Sequence, residues 1–517
     1  SPLIALMKNQ VDAIRQVSED DGIAHYLNSS LTRQQVDEVK EDIQAGRTKL
    51  LYVAPESLTK EETKDFLRNI KVSFYAVDEA HCVSQWGQDF RPSYLRIVEF
   101  IRCLPRRPVI AAFTATATER VRQDVKRILE LRSPVEVVTG FDRPNLWFEV
   151  LHPEYKEAEL LKLLEQRKRK SGIVYCATRK SVEHICEYLC DRGYAATRYH
   201  AGLEESERMA NQDAFLYDEK TVMVATNAFG MGIDKSNVSF VIHYNMPKSL
   251  EAYYQEAGRA GRDGANADCI LLYGPRDVQT ARFFIENGSD NEELTDDQRE
   301  LIKRQDYERL EAMVTYCKTR TCLRGWILEY FGQKHPEVCG NCGSCAREYE
   351  KKDITKEAQM ILSCVRRIRD YLGHYVGKPT VVRTLQGSRE KKTMELGLNE
   401  LSTYGLLKTM GANAIKELIS RLEDGGYLVT ELEHQTLRLT EKADGVLYFG
   451  EQVEVLVLKQ EEKLQKLDDD GMTEDERELF DLLRECRSAL AREHGVAPFM
   501  IFSNATLIDM AKKHPTN

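Results

Sequence analysis

The chain has 517 residues, enough for roughly three or four domains of about 150 residues each. Its composition, 42% hydrophobic and 30% charged with 14 Pro and 30 Gly, is that of folded protein and excludes collagen-like, mucin-like or wholly disordered chains; the sequence offers no run of ~20 uncharged apolar residues for a membrane helix, so a soluble, cytoplasmic protein without membrane partners is expected. The formal charge of −10 argues against a uniformly polyanion-binding surface, but Lys356–Lys392 holds nine Lys/Arg against three Asp/Glu and Glu451–Phe480 four against eleven. Local patches, not the global sign, govern nucleic-acid contacts, although solvated faces would look the same.

Ser1 to Val11 reads as a strand end running into an amphipathic helix. Up to about residue 135, apolar strands (LLYVAP, FYAVDEAH, VIAAFTATAT) alternate with helical stretches (LTRQQVDEVKEDIQ, ATERVRQDVKRILE), the pattern of a parallel sheet with crossover helices. Phe141-Asp-Arg-Pro-Asn145 is a turn-rich break. A second α/β unit follows, with strands SGIVYCA, ATRYHAG, TVMVAT, SFVIHYN and DCILLY, and two such units in tandem suggest a ligand gripped between them. Residues 287–350 read as helical and end in a cysteine cluster. From about 353 to 455 the pattern becomes three helices (KEAQMILSCVRRIRDYLG, MELGLNELSTYG, NAIKELISRLEDG) and a hairpin, GYLVTELEHQTLRLT, a winged-helix arrangement. The acidic stretch 456–471 reads as a linker or exposed helix, and the tail from Met472 as helical.

Asp78-Glu79-Ala80-His81 closes an apolar strand, and adjacent carboxylates at the C-terminal end of a parallel strand stand where α/β folds bind ligands. In nucleoside triphosphatases such a pair can hold Mg²⁺ and polarise the attacking water; an acidic strand-end turn is the plainer alternative. Gln255-Glu-Ala-Gly258-Arg259-Ala-Gly261-Arg262-Asp-Gly264 places two arginines three apart among small residues, suited to guanidinium groups reaching a γ-phosphate, or to a glycine-rich turn with solvated arginines. Thirteen cysteines without a secretion signal should be reduced thiols or metal ligands. Nine are scattered singly and read as small buried hydrophobes. Cys322, Cys339, Cys342 and Cys345 have the spacing C-x16-C-x2-C-x2-C, fitting four thiolates around a structural Zn²⁺, with Cys317 as a rival for the first ligand.

DEAH, followed by CVSQWGQDFRPSY (82–94), FTATAT (113–118), IVYCATRKSVE (173–183), YHAG (199–202), ATNAFGMGID (225–234) and QEAGRAGRDG (255–264), resembles the ordered motif set of RecQ-type DNA helicases of superfamily 2, here of bacterial type. The resemblance runs through the cysteine cluster, the winged helix and the tail. It implies two RecA-like parallel-sheet lobes (1–140 and 141–286), a zinc-binding subdomain (287–352), a winged helix (353–455), a linker (456–471) and a partial helical HRDC domain (472–517). It further implies Asp78 for Mg²⁺, Glu79 as general base, Arg259 and Arg262 on phosphoryl charge, Gln255, Gly232 and Asp234 facing ATP, and His81 coupling this site to an aromatic loop. In that loop Trp86 and Phe90 can stack on unpaired bases while Arg91 meets a phosphate or base; core filling by both aromatics is the alternative. Ser1, Lys8 and Gln10 match a segment touching the DNA backbone. Arg366, Arg367, Arg369, Arg389, Lys391 and Lys392 would contact phosphate and Asn413–Arg421 would form the recognition helix. The resemblance favours Cys322 over Cys317.

The family's phosphate loop, GxxxxGK[ST], and an adenine-reading glutamine precede the SPL segment and do not occur in the 517 residues; Gly373-His-Tyr-Val-Gly377-Lys378-Pro-Thr has three intervening residues and Pro where Ser/Thr must meet Mg²⁺. The expectation is a fragment, cut at both ends, that binds single-stranded or forked DNA but hydrolyses little ATP. The intact parent would be an ATP-dependent, 3′→5′ helicase of DNA recombination, repair and the SOS response, near the bacterial nucleoid and with single-strand-binding protein as a candidate partner. The rivals are an RNA-remodelling DEAH helicase, disfavoured by the aromatic loop and the zinc and winged-helix pair, and a non-catalytic DNA-binding or scaffold protein.

Overall fold

The computed structural model describes all residues except 1–3, 29–30, 88, 169, 231–234, 288–294, 348, 432–435, 459–473 and 515–517. They form two compact units. One comprises residues 1–313, 323–343 and 467–517, the other 314–322 and 344–466.

In the larger unit the chain opens on helix Ile4–Gln16. Two parallel strand pairs follow, Ala24–Leu27 with Leu50–Val53 and Phe74–Val77 with Val109–Ala112. The crossover helix Arg33–Gln44 starts at Thr32 because a capping box with Gln35 satisfies the first free backbone amides. Under the second pair, Val77, Ala80, Val83, Tyr94, Val98, Val121 and Val125 build a core.

Residues 146–272 fold into a six-stranded parallel sheet in the order Leu146–Leu151, Ala267–Leu272, Phe240–His243, Gly172–Tyr175, Val222–Ala225, Ala196–Tyr199. The three central strands are buried at every position, which is why they read as unbroken apolar runs; the edge strand Leu146–Leu151 alternates. Gly172 is required by closeness: a Cβ there would overlap the Phe240 ring. Helices Asp296–Lys318 and Leu323–Tyr330 follow, and the tail supplies Glu474–His494 and Asn504–Lys513.

In the smaller unit, helices Thr355–Leu372, Lys378–Gln386 and Ala412–Asp424 and the hairpin Leu428–Thr430/Leu437–Leu439 enclose Ile361, Val365, Ile368, Val381, Leu385, Ile415 and Leu422. The second of these helices differs from the sequence reading. Pro379 sits in the first turn of Lys378–Gln386, where its missing amide costs nothing. The stretch read as that helix, MELGLNELSTYG, holds only the end of helix Lys391–Glu395, a 3-10 turn at Leu398–Glu400 and irregular turns. Residues 456–458, read as the start of a linker, continue strand Glu454–Leu458, which pairs antiparallel with Tyr349–Asp353.

Of the nine scattered cysteines, Cys82, Cys176, Cys186, Cys269, Cys317 and Cys364 are buried as expected, whereas Cys103, Cys190 and Cys486 are exposed. Among the described residues no helix is long and apolar enough to cross a membrane.

Candidate functional site

Strand Phe74–Val77 delivers Asp78 and Glu79 at its C-terminal end, and its partner strand runs on into Phe113–Thr118. The two motifs are laced together: the Phe113 amide donates to Val77 O (2.9 Å), the Ala80 amide to Phe113 O (2.8 Å), and His81 Nδ1 meets Thr114 Oγ1 at 2.9 Å. Glu79 adopts φ 49° and ψ 46°, a left-handed conformation uncommon outside glycine and concentrated at functional sites. Its amide donates to Asp78 Oδ1 (3.0 Å), and the Tyr94 hydroxyl donates to Asp78 O (3.1 Å).

Burial, reinforced by the Asp78 charge and opposed by Arg259, pushes the Glu79 carboxyl up to about 7, a value suited to a base near neutrality. Its Oε2 is buried without a hydrogen bond, with His81 Nδ1 3.3 Å away. Burial lowers His81 to about 4, so its ring is neutral at pH 7. The hard carboxylate oxygens of Asp78 and the unbonded Glu79 oxygen fit a hydrated Mg²⁺ and a water.

The arginine motif lies in the same unit. Helix Leu250–Ala257 is capped by Ser249, whose hydroxyl accepts from the Ala252 amide. Gln255 Nε2 donates to Thr116 Oγ1 at 3.0 Å, joining the second lobe to the first. Arg259 donates through Nη1 to Gly230 O; Gly230 has φ 144°, and a Cβ there would overlap the guanidinium. Arg262 is exposed.

Sequence reasoning missed what holds this turn. Arg143 donates to Gly258 O (3.3 Å), Ala260 O (3.1 Å) and Gly261 O (2.9 Å), and Asn145 Nδ2 to Gly261 O (2.9 Å) and Ala265 O (2.8 Å). The break Phe141–Asn145 is thus the clamp of the arginine turn. Its only sequence signal was an arginine and an asparagine around a proline.

In the aromatic loop Trp86 is half-buried against the first-lobe core, with the Arg120 guanidinium 2.9 Å above its ring centroid. Phe90 is half-buried, and Arg91 is paired with Asp89 at 2.8 Å. The loop returns tightly: the Gly87 amide donates to Ser84 O (2.9 Å), and Ser84 Oγ donates to Asp124 at 2.7 Å. Lys8 is exposed and Gln10 half-buried. Ser1, Gly232 and Asp234 lie outside the described residues.

Cys322, Cys339, Cys342 and Cys345 bring their sulfurs within 4.8 Å of one another. Four soft thiolates at that spacing fit a tetrahedral Zn²⁺. Cys317 is buried and stands outside this group. The Gly343 amide donates to Phe148 O (2.8 Å), and buried Arg324 donates to Asp142 (2.7 Å) and Arg143 O (2.6 Å). The segment that clamps the arginine turn is therefore itself held beside the cysteines.

In the smaller unit Arg366 pairs with Asp444 at 2.6 Å, Arg367 and Arg369 are exposed, and Asn413 is exposed at the start of helix Ala412–Asp424.

Parallel-strand lobes, one contributing carboxylates at a strand end and the other arginines on a clamped turn, have the layout of a nucleoside triphosphatase. Family models match in chain order: DEAD/DEAH box helicase (residues 1–125), helicase conserved C-terminal domain (155–264), RecQ zinc-binding (275–346), RQC domain (348–464) and HRDC domain (476–517). The chain is 44% identical to the ATP-dependent DNA helicase RecQ of Bacillus subtilis, over all of this chain and 83% of that protein. It is 38% identical to the protein of the same name from Pasteurella multocida, over all of this chain and 80% of that one. The chain belongs to the RecQ family of ATP-dependent DNA helicases, whose chemistry uses ATP, Mg²⁺ and a structural Zn²⁺. The solved structure of S. cerevisiae Dbp5 bound to RNA and ADP BeF3 aligns at a TM-score of 0.41 and 18% identity, over 60% of this chain and 80% of that one, too distant to carry weight.

Proposed function

We propose that the strand-end carboxylates and the clamped arginine turn form one ATP-hydrolysing site that drives this DNA helicase along a single strand in the 3′→5′ direction. Asp78 would hold Mg²⁺, which neutralises phosphate charge when bound. Glu79 takes the proton of the attacking water, and Arg259, with Arg262, meets the charge developing on the γ-phosphoryl group. The observation that carries the reading is the pairing of a buried, unbonded Glu79 oxygen, near neutrality in its titration, with an arginine from the other lobe that acts on the same carboxyl. Gln255, bonded to Thr116, would report closure between the lobes, and Gly232 and Asp234 would face ATP.

DNA contact is assigned to Trp86, Phe90 and Arg91 in the aromatic loop, to Ser1, Lys8 and Gln10, and to Arg366, Arg367, Arg369 and Asn413 of the winged helix. The domain division given by the sequence is proposed with residues 456–458 moved from the linker to the strand Glu454–Leu458, and with action at the nucleoid in recombination and repair. Single-strand-binding protein is proposed as a partner, and an open groove of the winged-helix unit lined by Lys356, Arg367, Met360 and Leu406 offers positive charge beside apolar surface.

The test uses protein extended at its N-terminus by the family's phosphate-loop segment, beside the 517-residue chain. Glu79→Gln should bind nucleotide yet lose turnover, and Arg259→Ala should lose on the order of 10³-fold in rate. Near-normal turnover in either variant overturns the assignment.

A further inference from the structure

Helix Asp296–Lys318 carries an arginine that no motif includes. The Arg309 side chain is only 11% exposed, and Asp306 fixes its Nη1 at 2.8 Å. Its Nη2 donates to two consecutive carbonyls of the aromatic loop, Trp86 O at 3.0 Å and Gly87 O at 2.8 Å. The loop is also fastened to its own root, because the Gly87 amide bonds Ser84 O and the Ser84 amide bonds His81 O at 3.1 Å. The loop is thus gripped between the DEAH turn and a nearly buried guanidinium. A planar, permanently charged fork can serve an anchoring carboxylate and a carbonyl pair at once, which a lysine ammonium cannot match in geometry.

The neighbouring helix, Leu323–Tyr330, reaches the other catalytic segment. The Tyr330 hydroxyl donates to Glu251 at 2.7 Å, on the helix that carries Gln255 and leads into Arg259. Two successive helices therefore hold the aromatic loop of the first lobe and the arginine helix of the second.

We propose that Arg309 is a positioning residue for DNA-stimulated ATP hydrolysis: by holding the Trp86 and Gly87 carbonyls it fixes the aromatic loop to the helical subdomain, so that a strand engaging the loop is felt at the arginine helix through Tyr330 and Glu251. The inference rests on the reading of the loop as a DNA contact. It adds a residue outside every motif whose bonds to the loop run through backbone, invisible to motif comparison.

The experiment compares wild type, Arg309→Ala, Arg309→Lys and Trp86→Ala. In the 517-residue chain, amide exchange across residues 82–91 should quicken in Arg309→Ala and less so in Arg309→Lys, with the melting temperature of the chain changed little. In the phosphate-loop-extended protein, a dT20 oligonucleotide should stimulate the Arg309→Ala ATPase about tenfold less than wild type, a usual size for coupling between sites, while KM for ATP stays put and Arg309→Lys recovers part of the stimulation. Stimulation intact in Arg309→Ala but lost in Trp86→Ala overturns the role of Arg309 and leaves the loop as a DNA contact. Stimulation intact in Trp86→Ala overturns the loop reading itself, and the proposal with it. Equal loss of DNA-free and DNA-stimulated turnover in Arg309→Ala, together with a large drop in melting temperature, assigns Arg309 to folding alone and also overturns the proposal.

Discussion

One added methyl group tests whether the aromatic loop must sit where it does. A Cβ at Gly87 would overlap the His81 carbonyl oxygen and stand 3.0 Å from His81 C and 3.1 Å from Ser84 O. All three are backbone atoms, so no side chain can swing aside. Restoring an ordinary contact requires a displacement of about 1 Å. Movement of the loop must also strain the bond from Arg309, which holds Gly87 O at 2.8 Å. The variant Gly87→Ala must then either keep the loop in place under overpacking strain of about 1–3 kcal/mol, or release it. A misplacement of that size is worth roughly 10²-fold where geometry controls a rate. We expect DNA stimulation of ATPase in the extended protein to fall by up to that factor. The melting temperature should drop by only about 1–4 °C, because the strain energy is spread over a large unit. ATPase titrated with a dT oligonucleotide beside a thermal melt reads both. Wild-type stimulation with an unchanged melt would show that the loop is free to move, and would refute the reasoning that ties it to His81.

The cysteine cluster should hold one zinc per chain, and chelation should quicken amide exchange in the turn Gly258–Ala265, because Arg143 and Asn145 are held through Arg324 beside the metal site; elemental analysis without zinc, or exchange unchanged by chelator, would contradict this. Asp218 sits between buried Lys235 (2.7 Å) and Arg487 (3.6 Å), all three side chains at most 6% exposed, so Asp218→Asn strands two cations. The expected cost is about 3–5 kcal/mol, with faster exchange in tail helix Asn504–Lys513, and an unchanged melt would refute it. Because burial holds Glu79 near 7, its basic form is lost as pH falls; turnover should drop below about pH 7 and the remaining rate of Glu79→Gln should be flat, whereas a wild-type profile flat from about pH 6 to 8 would exclude Glu79 as the base. His81, kept neutral by burial, contributes stability above its ordinary value of 6.5 that is lost as pH falls toward 4, measurable in melts of a His81→Gln comparison.

The fold was legible wherever a single periodicity governed the segment. Buried parallel strands must be continuously apolar, so Gly172–Tyr175 and Val222–Ala225 announced themselves, and the thiol spacing singled out three of the four zinc ligands. The winged-helix unit was harder, because Pro379 looks like a breaker and is in fact a helix starter. The difference lies in position within the turn, which composition does not encode. Trp86 fitted neither alternative as framed. Its loop is polar and tight, yet its ring is half-buried against the core beneath Arg120.

What stayed hidden shares a physical cause. Arg143, Asn145, Arg309 and Arg324 all act on backbone carbonyls, and a carbonyl acceptor has no residue type. Arg143 bonds three carbonyls across more than a hundred residues of sequence, and Arg324 bonds the carbonyl of Arg143 in turn. A motif records side chains that meet a ligand; these arginines meet the main chain that carries the motifs. Guanidinium suits the task because it stays charged when buried and its donors diverge in one plane. The arginine turn and the aromatic loop therefore depend for their placing on a second set of arginines, set at the break between the lobes and on the helices near the cysteine cluster. Through them the cysteine cluster, remote in sequence from Arg259, is mechanically next to it.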